Sequence, residues 1–224
     1  MIARTFFQRD PLTCACELIG CELVWDDCAG IIVETEAYFA LGDEACHTFA
    51  RPSARAFVEK HDAGTAYVYF NYGMYWLLNV LVKGGSADGF VLFRAIEPTR
   101  GIGAMTRRRF PNPPSSIRRG GGGHERGHAG GRANPQSLCS GPGKLTIALG
   151  VTGADHGRDL CSEERVGFRA PAQSVEVESG VRIGISKAAH LPWRFLLRSS
   201  EFLSAKPEAA RRKKARPPTR GGLA

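Results

Sequence analysis

The 224-residue sequence predicts an antiparallel α+β fold in a single domain. Short apolar runs bounded by turn residues outnumber helix-like stretches. These runs follow one another directly, as hairpin-linked strands do, rather than alternating with helices as in a Rossmann sheet. The length suits one sizeable core with decorations.

The elements follow in order. In DPLTCACELIG, Asp10 can cap a helix, Pro11 suits its first position and Gly20 stops it, so a helix is expected over about 11–19. CELVW reads as a strand, and DDCAG turns the chain into a second, GIIVETEAY. TAYVYF and MYWLLNVLV flank Asn71-Tyr72-Gly73, a hairpin signature. GFVLFRAIEP is an apolar strand ending at Pro98, and a helix is expected over about 100–109. Residues 111–136 include IRRGGGGHERGHAGGRANPQ, a glycine- and arginine-rich insertion expected to be disordered. SGPGKLTIALG starts a helix near Pro142. VRIGI and RFLLR are expected as late strands, and the domain should end near residue 204, leaving a basic disordered tail over 205–224.

The net charge of +8 is unevenly spread. Residues 100–132 net +7 and residues 205–224 net +6, which leaves the rest of the chain at −5. Such arginine-rich segments are either solvated or bind phosphates non-specifically through counterion release. No apolar run reaches membrane-spanning length, and MIARTFFQRDPL lacks the apolar core of a secretory signal, so a cytoplasmic location is expected. Cys14, Cys16, Cys21 and Cys28 lie close together but contain no C-x-x-C pair, which favours small reduced core residues over a metal site.

Two motifs fail on their context. His124-Glu125-Arg126-Gly127-His128 matches H-E-x-x-H, but glycines surround it and no apolar face can dock the helix that zinc chemistry needs. Gly143-Lys144 resembles part of a P-loop, yet Leu138 stands where its first glycine belongs and Leu145 replaces the Ser/Thr.

The chemistry-bearing residues lie elsewhere. Period-two geometry puts Glu34 and Glu36 of VETEAY on one strand face, with an apolar lead-in that implies burial. Arg94, alone in GFVLFRAIEP, is their candidate partner. The cluster is either a buried ion pair that fixes register or acid/base machinery. His47 and the in-strand Asn79 each need a hydrogen-bond partner, from the protein or a ligand. Four of the five tyrosines crowd into residues 67–75. Tyr67 and Tyr69 share a strand face, Tyr67 and Tyr75 are expected in the core, and Tyr72 at the hairpin tip should be exposed to a partner. Nucleic acid bases stack on such rings.

V-E-T-E-A-Y, D-E-A-x-H, Y-V-Y-x-x-Y-G-M-Y, L-x-R-A-x-E-P, L-C-S-G-P-G-K-L and R-I-G-I…P-W-R-F occur in this order over most of residues 5–198. Together they resemble the alkyladenine (3-methyladenine) DNA glycosylase family. The resemblance implies one mixed α+β domain on a curved antiparallel sheet with flanking helices. It implies a monofunctional hydrolase that flips alkylated or deaminated purines out of double-stranded DNA and leaves an abasic site. By position, Glu36 matches the general base, and Arg94 with the carbonyl of Ile183 matches the groups holding the attacking water. Tyr38 and Tyr69 match the two sides of the base pocket, and His47 a hydrogen-bonding group near base and sugar. Asn79 matches the residue that disfavours the guanine amino group, and Tyr72 the wedge that fills the vacated minor-groove space. A monomer associated with DNA (nuclear if the source is eukaryotic), with neither metal nor cofactor, is expected. The sequence departs from the family pattern after His47: Arg51 and Arg55 are kept, whereas Ala56 replaces an Asn and Glu59-Lys60 stand for Met-Phe. Ile147 stands where the family often has Gln. Two rivals are a glycoside hydrolase using Glu34 and Glu36 as a pair and a protein that binds damaged DNA without cutting it.

Overall fold

A computed structural model describes residues 1–71, 73–111 and 134–205. Residues 112–133 of the glycine- and arginine-rich insertion, with the H-E-x-x-H motif, Tyr72 and all but the first residue of the basic tail lie outside the described residues, while Pro135–Ser137 at the insertion's end form a short helical turn.

In chain order the elements are α1 (Pro11–Glu17), β1 (Glu22–Trp25), β2 (Cys28–Phe39), α2 (His47–Ala50), α3 (Pro52–Lys60), β3 (Ala66–Asn71), β4 (Tyr75–Val82), β5 (Gly89–Arg100), α4 (Ile102–Arg109), α5 (Pro142–Leu149), β6 (Val166–Arg169), β7 (Val177–Gly180) and β8 (Arg194–Leu197). The strands form one curled antiparallel sheet in the order β3-β4-β5-β2-β1-β6. The second edge of β2 is shared: β1 pairs with its first half, and β8, which carries β7, pairs with Glu34, Thr35 and Glu36. The architecture is therefore the single mixed α+β domain on a curved sheet that the sequence predicts.

The local causes are mostly those expected. Asp10 caps α1 by accepting from the Thr13 N–H at 2.9 Å, a cap worth about 1 kcal/mol. Gly20 takes φ +86° just beyond this helix, where a Cβ would be strained. The hairpin closes at the Asn71–Tyr75 pair with Gly73 at φ +66°. The sheet buries one face against α1 and α5, with Leu78, Val80, Phe93, Ile96, Leu145 and Leu149 in the main core. A second apolar cluster under α3 joins Phe57, Tyr67, Leu81 and Phe90.

Two expectations are corrected. VRIGI is not a strand: β7 lies just before it, at Val177–Gly180, and residues 181–193 run as an irregular loop. Ile183 and Ile185 line a cavity instead of pairing in a ladder, and Val181 is exposed. Tyr75 is not a core residue; it is 42% exposed at the hairpin end, and a Cβ added at Gly143 would meet its ring. Tyr67 is buried as expected and stacks on Phe90 at 4.5 Å. Cys14, Cys21 and Cys28 are buried and unpaired, and burial pushes the Cys14 and Cys21 thiols up to about 11.

Candidate active site

Strand β2 sorts its side chains by alternation. Thr35 points to the core, where its hydroxyl donates to the Ala15 carbonyl of α1 at 2.8 Å. Glu34, Glu36 and Tyr38 share the other face. Between Glu34 and Thr35 the β2–β5 register jumps from Ala95 to Phe93, so Arg94 is the extra residue of a β-bulge. Bulges re-aim side chains, and Arg94 reaches both carboxylates, with Nε 2.8 Å from Glu34 Oε1 and a terminal nitrogen 3.3 Å from Glu36 Oε1.

Both carboxylates are fully buried, but their surroundings differ. Glu34 is saturated: its oxygens accept from Arg94 and Arg194 at 2.8 Å each, from the Ser204 hydroxyl at 2.7 Å and from the Ser204 N–H at 2.6 Å. Glu36 accepts from the Ile183 N–H at 2.7 Å and the Tyr38 hydroxyl at 2.7 Å. Burial raises the Glu36 pKa above the ordinary carboxylate value, against the lowering effects of the Arg94 charge, the Ile183 N–H and the Tyr38 hydroxyl. A buried carboxylate held in this way is poised to take a proton, whereas Glu34 already accepts from four donors, two of them guanidinium groups.

Above Glu36 lies a cavity of about 410 Å³ whose wall includes Tyr38, His47, Tyr69, Asn79, Arg94 and Ile183. These six predicted site residues are thus brought together, and Glu36 sits behind the wall in contact with three of them. Tyr38 on β2 and Tyr69 on β3 are separated by three ladder steps, about 14 Å in a flat sheet. Curling lets both line one cavity.

His47 opens α2 directly after the buried Cys46. Its Nδ1 lies 3.1 Å from the Tyr67 hydroxyl, and its ring meets Tyr69 edge-on at 4.2 Å. Burial, and secondarily the Arg51 charge, depress its pKa to about 4, so it is neutral at neutral pH. Asn79 donates its amide to the Tyr67 carbonyl at 3.1 Å, which fixes it in the wall. At the hairpin end Phe70 is 49% and Met74 62% exposed, an apolar patch.

Sequence reasoning missed the groups that hold these residues. Asp43 and Arg182 form a wholly buried ion pair behind Tyr38, and Arg194 and Ser204 complete the shell of Glu34. Asp43, Arg182 and Arg194 stand inside the D-E-A-x-H, R-I-G-I and P-W-R-F stretches. Their burial and their partners are long-range facts that no local pattern carries. Among the described residues no grouping of His, Cys, Asp and Glu suits a metal ion, and no helix is long and apolar enough to cross a membrane.

Residues 5–201 match the family described as Methylpurine-DNA glycosylase (MPG). Three bacterial relatives carry the provisional name 3-methyladenine DNA glycosylase. The protein of Rhodopseudomonas palustris strain CGA009 is 41% identical, covering 91% of this chain and 88% of its own. That of Bradyrhizobium diazoefficiens is 38% identical over 91% and 90%. That of Rhizobium johnstonii is 42% identical over 90% and 88%. The chain therefore belongs to the methylpurine-DNA glycosylase family of DNA repair enzymes, hydrolases that act on N-glycosyl bonds.

Proposed function

We propose that this chain is a monofunctional glycosylase that flips an alkylated or deaminated purine out of duplex DNA and hydrolyses its bond to the sugar. The observation that carries the reading is the contrast between the two carboxylates: Glu34 is locked by four donors, and Glu36 is held behind an aromatic cavity with a raised pKa.

A base inside a duplex cannot be reached, so it must leave the stack, at a cost of a few kcal/mol that is lower for damaged bases. Family resemblance assigns Tyr72 as the wedge that fills the vacated space. The flipped ring then lies between Tyr38 and Tyr69, which favour a cationic alkylpurine through their ring faces. A neutral His47 adds no repulsion, and the Arg94 charge is balanced by Glu34 and Glu36. Asn79, fixed by its bond to Tyr67, stands where the exocyclic amino group of guanine would have to displace it.

The chemistry needs little further help. An N3- or N7-alkylated purine departs with the electron pair of its glycosidic bond and becomes neutral; a neutral ring such as hypoxanthine or ethenoadenine departs as its anion and takes up a proton from solvent water. Water held near Arg94 and the Ile183 carbonyl bonds to C1′ and gives its proton to Glu36. A duplex carrying one hypoxanthine or one ethenoadenine, treated with the protein and then with alkali, should be cut at the lesion. Tight lesion binding without alkali-sensitive sites would replace this reading with that of a damage-binding protein.

A further inference from the structure

Against Tyr38, and outside the cavity wall, lies a group that the proposed chemistry does not use. The Arg182 side chain is wholly buried against the equally buried Asp43, with bonds of 2.6 and 2.9 Å to its two oxygens. Arg182 also donates to the Ala37 carbonyl at 3.0 Å and to the Ala188 carbonyl at 3.4 Å. Its guanidinium carbon lies 4.6 Å from the Tyr38 ring centre and 4.9 Å from that of Trp193, so the cation is stacked between two aromatic rings. Its Nε is buried with no hydrogen-bond partner among the described residues.

Such an ion pair is weak evidence for stability, since desolvation offsets much of the attraction and one donor here goes unsatisfied. Its geometry is better explained by what it joins. Ala37 and Tyr38 belong to β2. Asp43 holds the turn that leads to His47, accepting also from the Phe39 and Ala45 N–H groups. Arg182 itself, Ala188 and Trp193 belong to the irregular loop 181–193. Among the described residues that loop pairs with no strand except at its end, where the Trp193 carbonyl accepts from the Ala37 N–H at 2.9 Å, yet its Ile183 N–H must stay on Glu36.

We propose that Arg182 is a positioning residue for base excision: clamped to Asp43 and stacked behind Tyr38, it holds that ring against the cavity and keeps the Ile183 N–H on Glu36. The inference rests on the reading of Glu36 as general base. Two of the contacts that favour ionised Glu36, from Ile183 and Tyr38, depend on this clamp. The other groups facing Glu36 are Arg94 from β5, Glu34 from its own strand with Arg194 of β8 behind it, and Tyr69 from β3; Arg182→Lys alters none of them.

The test is the pH dependence of single-turnover excision at saturating enzyme, on a duplex with one ethenoadenine, for the parent chain and Arg182→Lys. Lysine keeps the charge but loses the bidentate fork and the planar stack. The acidic limb should move up by about half a pH unit or more as the donors to Glu36 loosen. The rate at neutral pH should fall about tenfold, less than the roughly hundredfold that a full 1 Å misplacement can cost. Trp193→Leu, which removes one face of the stack and leaves the ion pair, should shift the limb in the same direction and serves if Arg182→Lys does not fold. A lower melting temperature with an unmoved limb in both variants would make Arg182 merely structural and overturn the inference. A parent chain that binds the lesion and never excises would overturn the reading of Glu36, and this inference with it.

Discussion

Glu34 and Glu36 are two positions apart, equally buried and in reach of the same arginine, so the difference between them lies in their remaining partners. Glu36→Gln keeps the shape of the site but removes the acceptor for a water proton, and single-turnover excision should fall by about 10²–10⁴. Lesion binding should persist; near-parental rates would remove Glu36 from the role of base. Glu34→Gln should act on stability first, because it leaves two buried guanidinium groups short of charge, a loss on the order of 3 kcal/mol read as a lower melting temperature. If Glu34→Gln proves the more damaging to excision in folded protein, the two carboxylates have been assigned the wrong way round. The pH profile separates Glu36 from His47. A base must be deprotonated, so the rate should fall as pH drops through the raised Glu36 pKa, above the ordinary value of 4.5. His47, held near 4, is still neutral there, and its stabilising contribution is complete above its unfolded value of 6.5 and lost as pH falls toward about 4. His47→Asn should therefore weaken the grip on the lesion and leave the acidic limb where it was; a limb that vanishes with His47 would transfer the titration to the imidazole.

The elements divide into those visible in the sequence and those visible only once folded. α1 was legible because Asp10, Pro11 and Gly20 mark its ends, and β2 to β5 because their apolar runs are long and punctuated by turns. α3 was missed although Pro52 stands at its first position, as was the four-residue β6. VRIGI shows the opposite error: apolar alternation suggested a strand, and tertiary context used Ile183 and Ile185 as a cavity wall and the Ile183 N–H for Glu36. For the site, alternation revealed the carboxylate pair and isolation in an apolar run revealed Arg94, but nothing local announces the bulge that aims it. The β3–β4 hairpin carries the remaining test. Tyr69 lines the cavity, whereas family resemblance gives Tyr72 the role of wedge, so their losses should differ in kind. Tyr69→Ala should weaken excision from single-stranded and duplex substrate alike, since it removes a pocket wall. Tyr72→Ser should weaken excision from matched duplex at limiting enzyme and spare single strands, where no stack has to be refilled. Equal loss on both substrates would place Tyr72 in the pocket, and no loss on either would place it outside the DNA interface.

Across the whole molecule, charge and chemistry are carried by different parts of the chain. Residues 206–224 hold seven cationic side chains and one glutamate, whereas the chain outside this tail and outside residues 100–132 nets −5. The last described residues also reach the buried network around Glu34: Ser204 donates twice to Glu34, and the Ala205 carbonyl accepts from Arg194 at 2.8 Å. Two truncations two residues apart should therefore behave differently. Ending the chain at Ala205 removes the cationic side chains and leaves those hydrogen bonds in place. If about half of the cations touch phosphates at once, the slope of log K against log salt should flatten by roughly 3. Single-turnover excision at saturating enzyme should stay within about twofold, because no contact to Glu36 is lost. Ending it at Leu203 should flatten the salt slope equally and also strip the two Ser204 donors from Glu34, lowering the melting temperature and the saturated rate together. An unchanged slope in both would mean that the tail is solvated in the complex. Identical rates and melting temperatures for the two truncations would mean that Ser204 does not brace the network, and that Arg94 and Arg194 alone hold Glu34 in place.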